Sequence, residues 1–252
     1  MHRFAGFVFC FFLLVSYSLA QETQDDSLPP PSHLPAKFGG GVGFAPFLLS
    51  MDFNPINDYL RKSNAGQFST GPMFMTGGQA YGYILFVRNL RGGVMWGSGS
   101  VNSLAASGGM TRDVELHVGF TGATVEYVVP VSARLDLALG TMLGAGGMDI
   151  TMKRDDGTPK QWDSVWTQFG SAQPAANFSR KMTGSFFMYE PMAHVEYAML
   201  RWLGLRVGVG YLGTLGGSWK LDDKYDMIGV PDKINSRGLS INAGVFLGTF
   251  IF

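Results

Sequence analysis

The sequence predicts an all-β chain, an up-and-down antiparallel transmembrane β-barrel of about eight strands with short turns at one end and long loops at the other. Three observations lead there. The 252 residues include 35 glycines and are 46% apolar but only 15% charged, against roughly 25% charge in a soluble domain. No uncharged apolar stretch of about 18 residues follows the N-terminal region, so helices are not what would cross a bilayer. From Phe38 onward small and apolar residues alternate with period two, and strands are admissible in lipid only when a closed barrel gives every backbone polar group a partner.

The elements follow in order. Residues 1–20, "MHRFAGFVFCFFLLVSYSLA", place Arg3 before an apolar run and end on the small residues Ser18 and Ala20, the pattern of a secretory signal peptide cleaved after Ala20. Its removal takes away the one cysteine, Cys10, and leaves one basic residue fewer than the 19 acidic ones. Disulfides, thiolate metal sites and a cysteine nucleophile are thereby excluded from the mature chain. Near-neutral charge also leaves no basic face for nucleic acid. Residues 21–37, "QETQDDSLPPPSHLPAK", read as an extended proline-rich leader, and residues 38–252 as the barrel domain.

Period-two runs mark strands near 38–51, 77–88, 91–102, 112–128, 133–153, 184–200, 203–219 and 238–252. Connections near 88–92, 129–132 and 200–204 are tight, whereas 52–76, 103–111, 154–183 and 220–237 are long. This alternation is the layout of a membrane barrel with an even number of strands and both termini at the short-turn side. The first long connection contains "NPINDYLRKSNA", which suits a short amphipathic helix around 56–62.

Within strands, bulk separates from charge. In "ARLDLALG", Leu135, Leu137 and Leu139 oppose Arg134 and Asp136; in "LGLRVGVGY", Leu205, Val207 and Val209 oppose Arg206 and three glycines. Large residues toward lipid and small or charged ones inside suit a narrow barrel whose lumen has room only for side chains. Trp96, Tyr127, Trp202 and Tyr211 suit the aromatic girdles at the interfaces. In "TRDVELHVGFTGATVEYVV", an outward Val114, Leu116, Val118 and Phe120 would drive Glu126 into lipid, so a bulge near Gly119 or Gly122 is expected to reset the register.

The signal peptide, the alternating long and short connections and the ending "VFLGTFIF", with Phe246, Phe250 and Phe252 on one parity, resemble the small eight-stranded outer-membrane proteins of Gram-negative bacteria, the OmpA-transmembrane and OmpX type. The resemblance implies a cell outer-membrane location with the leader and short turns in the periplasm. It also implies that the final phenylalanine serves as the recognition signal for the barrel assembly machinery. The last strand would then pair with the first, which accounts for a chain ending in an apolar strand.

Two groups of ionisable residues fall on notable faces. Glu126, Arg134, Asp136, His194, Glu196 and Arg206 are expected to fill the lumen as a paired polar network, since a dry interior tolerates charges only in pairs. Asp113, Glu115 and His117 share one strand face toward the long-loop side, where an acid–His set could bind a divalent cation or orient a nucleophile, with Ser103 and Ser107 nearby. Some small barrels that this chain resembles place Ser, His and an acid at the outer rim. The loop acids Asp155, Asp156, Asp222, Asp223 and Asp226 lack the spacing of a calcium loop and read as solvated. Trp162, Trp166 and Phe169 in the third long loop are the candidates for contact with a partner.

The function expected is structural or loop-mediated recognition by a monomeric barrel with a filled interior. A lipid-modifying acyl hydrolase or transferase and a small-solute or ion channel are the alternatives. No cofactor or metal is expected. The partners expected are outer-membrane lipid, the assembly machinery during biogenesis and a loop partner the sequence does not name, with no nucleic acid.

Overall fold

The computed structural model describes residues 39–171 and 177–250, the Phe250 side chain excepted. The expected signal peptide and leader, the start of the barrel at Phe38 and the terminal Phe252 lie outside the described residues, as does the Phe250 side chain.

A single antiparallel sheet closes on itself. Its strands are β1 (Gly39–Phe44), β2 (Phe47–Met51), β3 (Met73–Tyr83), β4 (Leu90–Ser107), β5 (Met110–Pro130), β6 (Leu135–Asp155), β7 (Phe178–Leu200), β8 (Leu203–Leu221), the short β9 (Tyr225–Asp226) and β10 (Gly238–Phe250). Among the described residues two helices interrupt it: α1 (Asn54–Lys62) and α2 (Trp162–Gly170). β1 and β2 together make one stave of the barrel. Pro46 has no N–H to give to the ladder, so pairing lapses at Ala45–Pro46, yet Gly39↔Phe250 and Met51↔Gly238 lie in the same register along β10. Since β10 also pairs with β8, the ring closes with eight staves, β9 being a two-residue addition to the rim.

Connections at the end where the N-terminal stave begins are short, as expected, at 131–134 and 201–202; the first falls at 84–89 and not at the expected 88–92, because β3 ends at Tyr83, short of the expected 88. At the other end, 52–72 carries α1, 156–177 carries α2 and 222–237 carries β9. The expected long loop at 103–111 is instead a two-residue hairpin, Gly108–Gly109, whose φ values of +60° and +72° are those of a tight turn favouring glycine. Residues 103–107 and 110–111 read as loop in the sequence because serine, glycine and threonine are frequent there; they are strand.

Strand length organises the whole barrel. A transmembrane strand needs about 9–11 residues, whereas β5 and β6 each have 21 and β7 has 23. On the outer face of β6, Leu135, Leu137, Leu139, Leu143 and Ala145 give way after Gly147 to Asp149, Thr151 and Lys153. The register carries this boundary to the neighbours: Ala145 sits beside Thr121 and Phe187, and Asp149 beside His117 and Thr183. Below it an exposed apolar belt runs around the barrel through Val42, Val94, Tyr127, Leu139, Val195, Val207 and Ile241. Above it stands a polar collar clear of lipid.

The lumen inverts with the outside. In the collar the interior is an apolar core of Leu49, Met73, Met75, Leu116, Val118 and Met148, continuous with Ile56 and Leu60 of α1. In the belt it is polar. Val114, Leu116, Val118, Phe120, Thr124 and Glu126 are therefore all inward residues of one unbroken strand. Registers run without a shift from Leu90↔Tyr127 to Ser107↔Met110 and from Thr111↔Asp155 to Pro130↔Asp136, so the bulge expected near Gly119 or Gly122 does not exist. The expectation failed because it equated apolar with lipid-facing, which reverses once a strand rises into water. Register shifts occur instead between β7 and β8, at Ser185/Phe187 and Ala198/Leu200.

Candidate functional site

Three places on this frame hold grouped chemistry. The first is the polar network in the lower lumen, centred on Glu126 of β5. Glu126 Oε2 accepts from Arg91 Nε on β4 at 2.5 Å, and Oε1 accepts from Arg206 Nη2 on β8. Arg91 Nη1 also reaches Glu196 Oε2 at 3.2 Å, which in turn accepts from Tyr81 OH at 2.9 Å. Arg206 Nη1 donates to Gln79 Oε1 at 2.8 Å, and its Nη2 lies 2.8 Å from His194 Nδ1. Arg91, Glu126 and Arg206 side chains are at most 1% exposed. Glycine makes the room: a Cβ on Gly208 would strike the His194 ring.

Of the expected network, Glu126, Asp136, His194, Glu196 and Arg206 are buried in the lumen. Arg134 is corrected: it precedes β6 in the 131–134 turn and is exposed, because the inward parity it shares with Asp136 passes beyond the barrel end there. Sequence reading missed Arg91, Gln79 and Tyr81. Arg91 reads as part of a turn in the sequence, yet its parity with Gly93, Met95, Gly97 and Gly99 is an inward stripe of the kind that identifies Arg206. Higher up, Glu190 accepts from Ser240 Oγ through Oε1, and its Oε2 has no partner among the described residues. Phe246, one of the three terminal aromatics, is fully buried against Tyr81 with ring centroids 5.8 Å apart.

The second place is the outer face of the collar. Asp113, Glu115 and His117 stand there together, half-buried, as the parity of β5 requires. His117 Nε2 lies 2.9 Å from Ser98 Oγ on β4. Asp149, opposite His117 in the register, pairs with Lys181 Nζ at 3.1 Å. Ser103 is buried and Ser107 ends β4, so neither expected serine is the one that meets His117.

The third place is the outer end. Trp162, Val165, Trp166 and Phe169 lie at i, i+3, i+4 and i+7 of α2, which puts all four on one helical stripe. They are 75%, 50%, 59% and 85% exposed, and no α2 residue is buried. Among the described residues, their rings pair with one another, Trp162 to Trp166 at 5.9 Å and Trp166 to Phe169 at 6.5 Å. Ahead of α2, Asp156 takes hydrogen bonds from Lys160 Nζ at 2.5 Å and from Thr158 N and Oγ1, which lowers its pKa from the usual 3.8 to about 2. Asp222 is not simply solvated: the Lys181 amide and the Arg180 guanidinium both bond its carboxylate and hold its pKa below the ordinary range. Beside these turns opens a cavity of about 740 Å³, lined from β7, β8 and the 222–237 segment.

No protein-family model matches the chain, and no curated protein matches it. Among solved structures, the N-terminal β-barrel domain of Pseudomonas aeruginosa OprF is 8% identical, with 85% of this chain and 99% of that one covered and a TM-score of 0.39. A major outer membrane protein from Thermus thermophilus is 8% identical, with 84% and 99% covered and a TM-score of 0.45. Ail of Yersinia pestis, in complex with the heparin analogue sucrose octasulfate, is 10% identical, with 87% and 100% covered and a TM-score of 0.37. At such low identity and overlap, the class rests on the chain's own closed sheet and apolar belt. Those two features define an outer-membrane β-barrel. Within that class the chain is a narrow eight-staved barrel whose lumen buries the Arg91–Glu126–Arg206 network and an apolar core.

Proposed function

We propose that the chain is an outer-membrane recognition protein, in which the filled barrel is an anchor and α2 is the contact element. The observation that carries this reading is the stripe of Trp162, Val165, Trp166 and Phe169, four large apolar side chains presented together to water. Exposed apolar groups of this density mark an interaction site when they gain nothing by packing at home. Aromatic anchors of this kind dominate protein–protein hot spots. A protein partner suits the stripe better than lipid, because β6 leaves the apolar belt at Ala145 and runs on to Asp155. At ~3.3 Å per residue and a tilt of about 40°, that carries the chain roughly 25 Å away from the bilayer.

The test is site-specific photo-crosslinking from position 166 in intact cells. A discrete protein adduct at position 166 that is lost when Trp162→Ser and Phe169→Ser remove the flanking apolar groups, while the barrel still folds, supports the reading. Adducts to lipid alone, or none, contradict it.

A second reading rests on the Ser98–His117 contact on the collar just above the belt. There His117 would take the Ser98 proton as Ser98 attacks an acyl ester near the lipid headgroups and return it to the alcohol that leaves as the ester C–O bond breaks, giving an acyl-Ser98 that water or a second alcohol resolves, the requirement for an acyl hydrolase or transferase. Labelling of Ser98 by a fluorophosphonate, lost in Ser98→Ala and in His117→Ala, would favour it. No labelling of the folded barrel would remove it.

A further inference from the structure

The cavity at the outer end is built around a glycine bulge. Between Ser185↔Ser218 and Phe187↔Leu215 the β7–β8 register shifts, leaving Gly216 and Gly217 outside the ladder at φ values of +62° and +146°. A Cβ on Gly217 would lie 2.6 Å from the Phe186 ring, so only glycine lets the strand pass that ring here. Phe186 stands edge-on to Trp219, with centroids 5.8 Å apart and planes at 76°. This pair and Met227 give the cavity an apolar side, and its volume of about 740 Å³ falls within the ~300–1,000 Å³ typical of small-ligand sites.

Its polar side carries both charges, separated. Arg237 is fixed in place: Nε donates to Thr214 O and Oγ1 at 3.2 and 3.1 Å, and Nη2 donates to Thr214 O at 2.7 Å. Its Nη1 has no partner among the described residues, which leaves a pre-oriented donor for an anion. Asp226 and Asp232 also line the cavity, and among the described residues neither forms an ion pair with Arg237 or with any other cation. Arg237, Asp226 and Asp232 are all exposed to solvent, so a ligand that carries both charges can reach each of them from the cavity.

We propose that this cavity binds a small zwitterion with an apolar body, an α-amino acid or short peptide. Its carboxylate meets Arg237, its ammonium meets Asp226 and Asp232, and its apolar side chain lies against Phe186, Trp219 and Met227. This site is independent of α2, and its occupancy does not depend on the recognition role proposed above.

Isothermal titration of the detergent-solubilised full barrel with three probes tests it: leucyl-leucine, its N-acetyl derivative without the ammonium, and its C-terminal amide without the carboxylate. Leucyl-leucine should bind, and each blocked form should bind at least tenfold more weakly. Arg237→Gln should abolish the preference for the free carboxylate only, and paired Asp226→Asn with Asp232→Asn the preference for the free amine only. Val230→Trp, on the cavity wall, should block all three without touching a charge. Retained heat-modifiable migration on gels shows that each variant folds. No binding at millimolar peptide, equal affinity for the three probes, or unchanged discrimination in the charge variants would overturn the proposal.

Discussion

Arg206 on β8 and Glu126 on β5 join across the lumen, between staves that are not neighbours in the ring, and both side chains are 1% exposed. The bond therefore braces the barrel across its width. Removing Arg206 leaves two buried carboxylates, Glu126 and Glu196, against Arg91 alone, and a buried charge in excess of its partners costs about 3–5 kcal/mol. Arg206→Leu should destabilise the refolded barrel by that amount, read as a lower denaturant midpoint. Adding Glu126→Gln should recover part of the loss, because Arg91 then faces the single carboxylate of Glu196. Unchanged stability in Arg206→Leu would mean that water fills the lumen.

The same packing closes the pore. With the Arg91–Glu126–Arg206 layer fully buried and a methionine-rich core above it, planar-bilayer recording should show no stable conductance on the nanosiemens scale. Steady open steps of that size would contradict a filled lumen.

The collar predicts opposite sensitivities for adjacent residues of β5. Leu116, 0% exposed inside the collar, should cost about 2–5 kcal/mol as Leu116→Ala. Glu115→Ala, on the outer face, should cost less than about 0.5 kcal/mol. A bulge at Gly119 would reverse the two, and chemical denaturation distinguishes them directly.

The segment leading into α2 should respond to acid late. Thr158 N donates to the Asp156 carboxylate at 3.1 Å, and the Asp156 pKa is depressed to about 2. A depressed carboxylate contributes its local order in full above its usual 3.8 and loses it as pH falls through the folded value. The Thr158 amide shift should accordingly titrate near pH 2 by NMR. A midpoint at the ordinary carboxylate value of about 4 would show that the Asp156 turn does not form in solution.

The belt and its eight staves were legible in the sequence because lipid imposes a plain rule on alternate residues: Leu135, Leu137, Val207 and Val209 are bulky and apolar where Asp136 and Arg206 are charged and Gly208 is small. The collar was not legible by that rule. Leu116 and Leu139 look alike in sequence, yet one faces a dry interior and the other faces the bilayer, and only the length of the strand and its pairing reveal which. Long-range partners stayed hidden for a related reason. Arg91 faces Glu126 across the β4–β5 hairpin, a register set by the Gly108–Gly109 turn that the sequence reading took for a long loop, whereas Arg91 meets Glu196 of β7 only because the closed ring brings non-neighbouring staves to one layer. The α2 stripe was visible as three aromatics, and its helical register added Val165. The outer cavity needed the Gly216–Gly217 bulge, which two adjacent glycines suggest but do not locate.

The most direct measurement is the depth of two residues on the same face of one strand. In a Cys10→Ser background, nitroxide labels at Leu139→Cys and Lys153→Cys, both outward on β6, would be read in lipid vesicles by their relative exposure to oxygen and to a water-soluble nickel chelate. The label at 139 should meet oxygen and be shielded from nickel, and the label at 153 should meet nickel freely. Aqueous exposure at both positions would contradict a membrane barrel, and lipid exposure at both would contradict the collar.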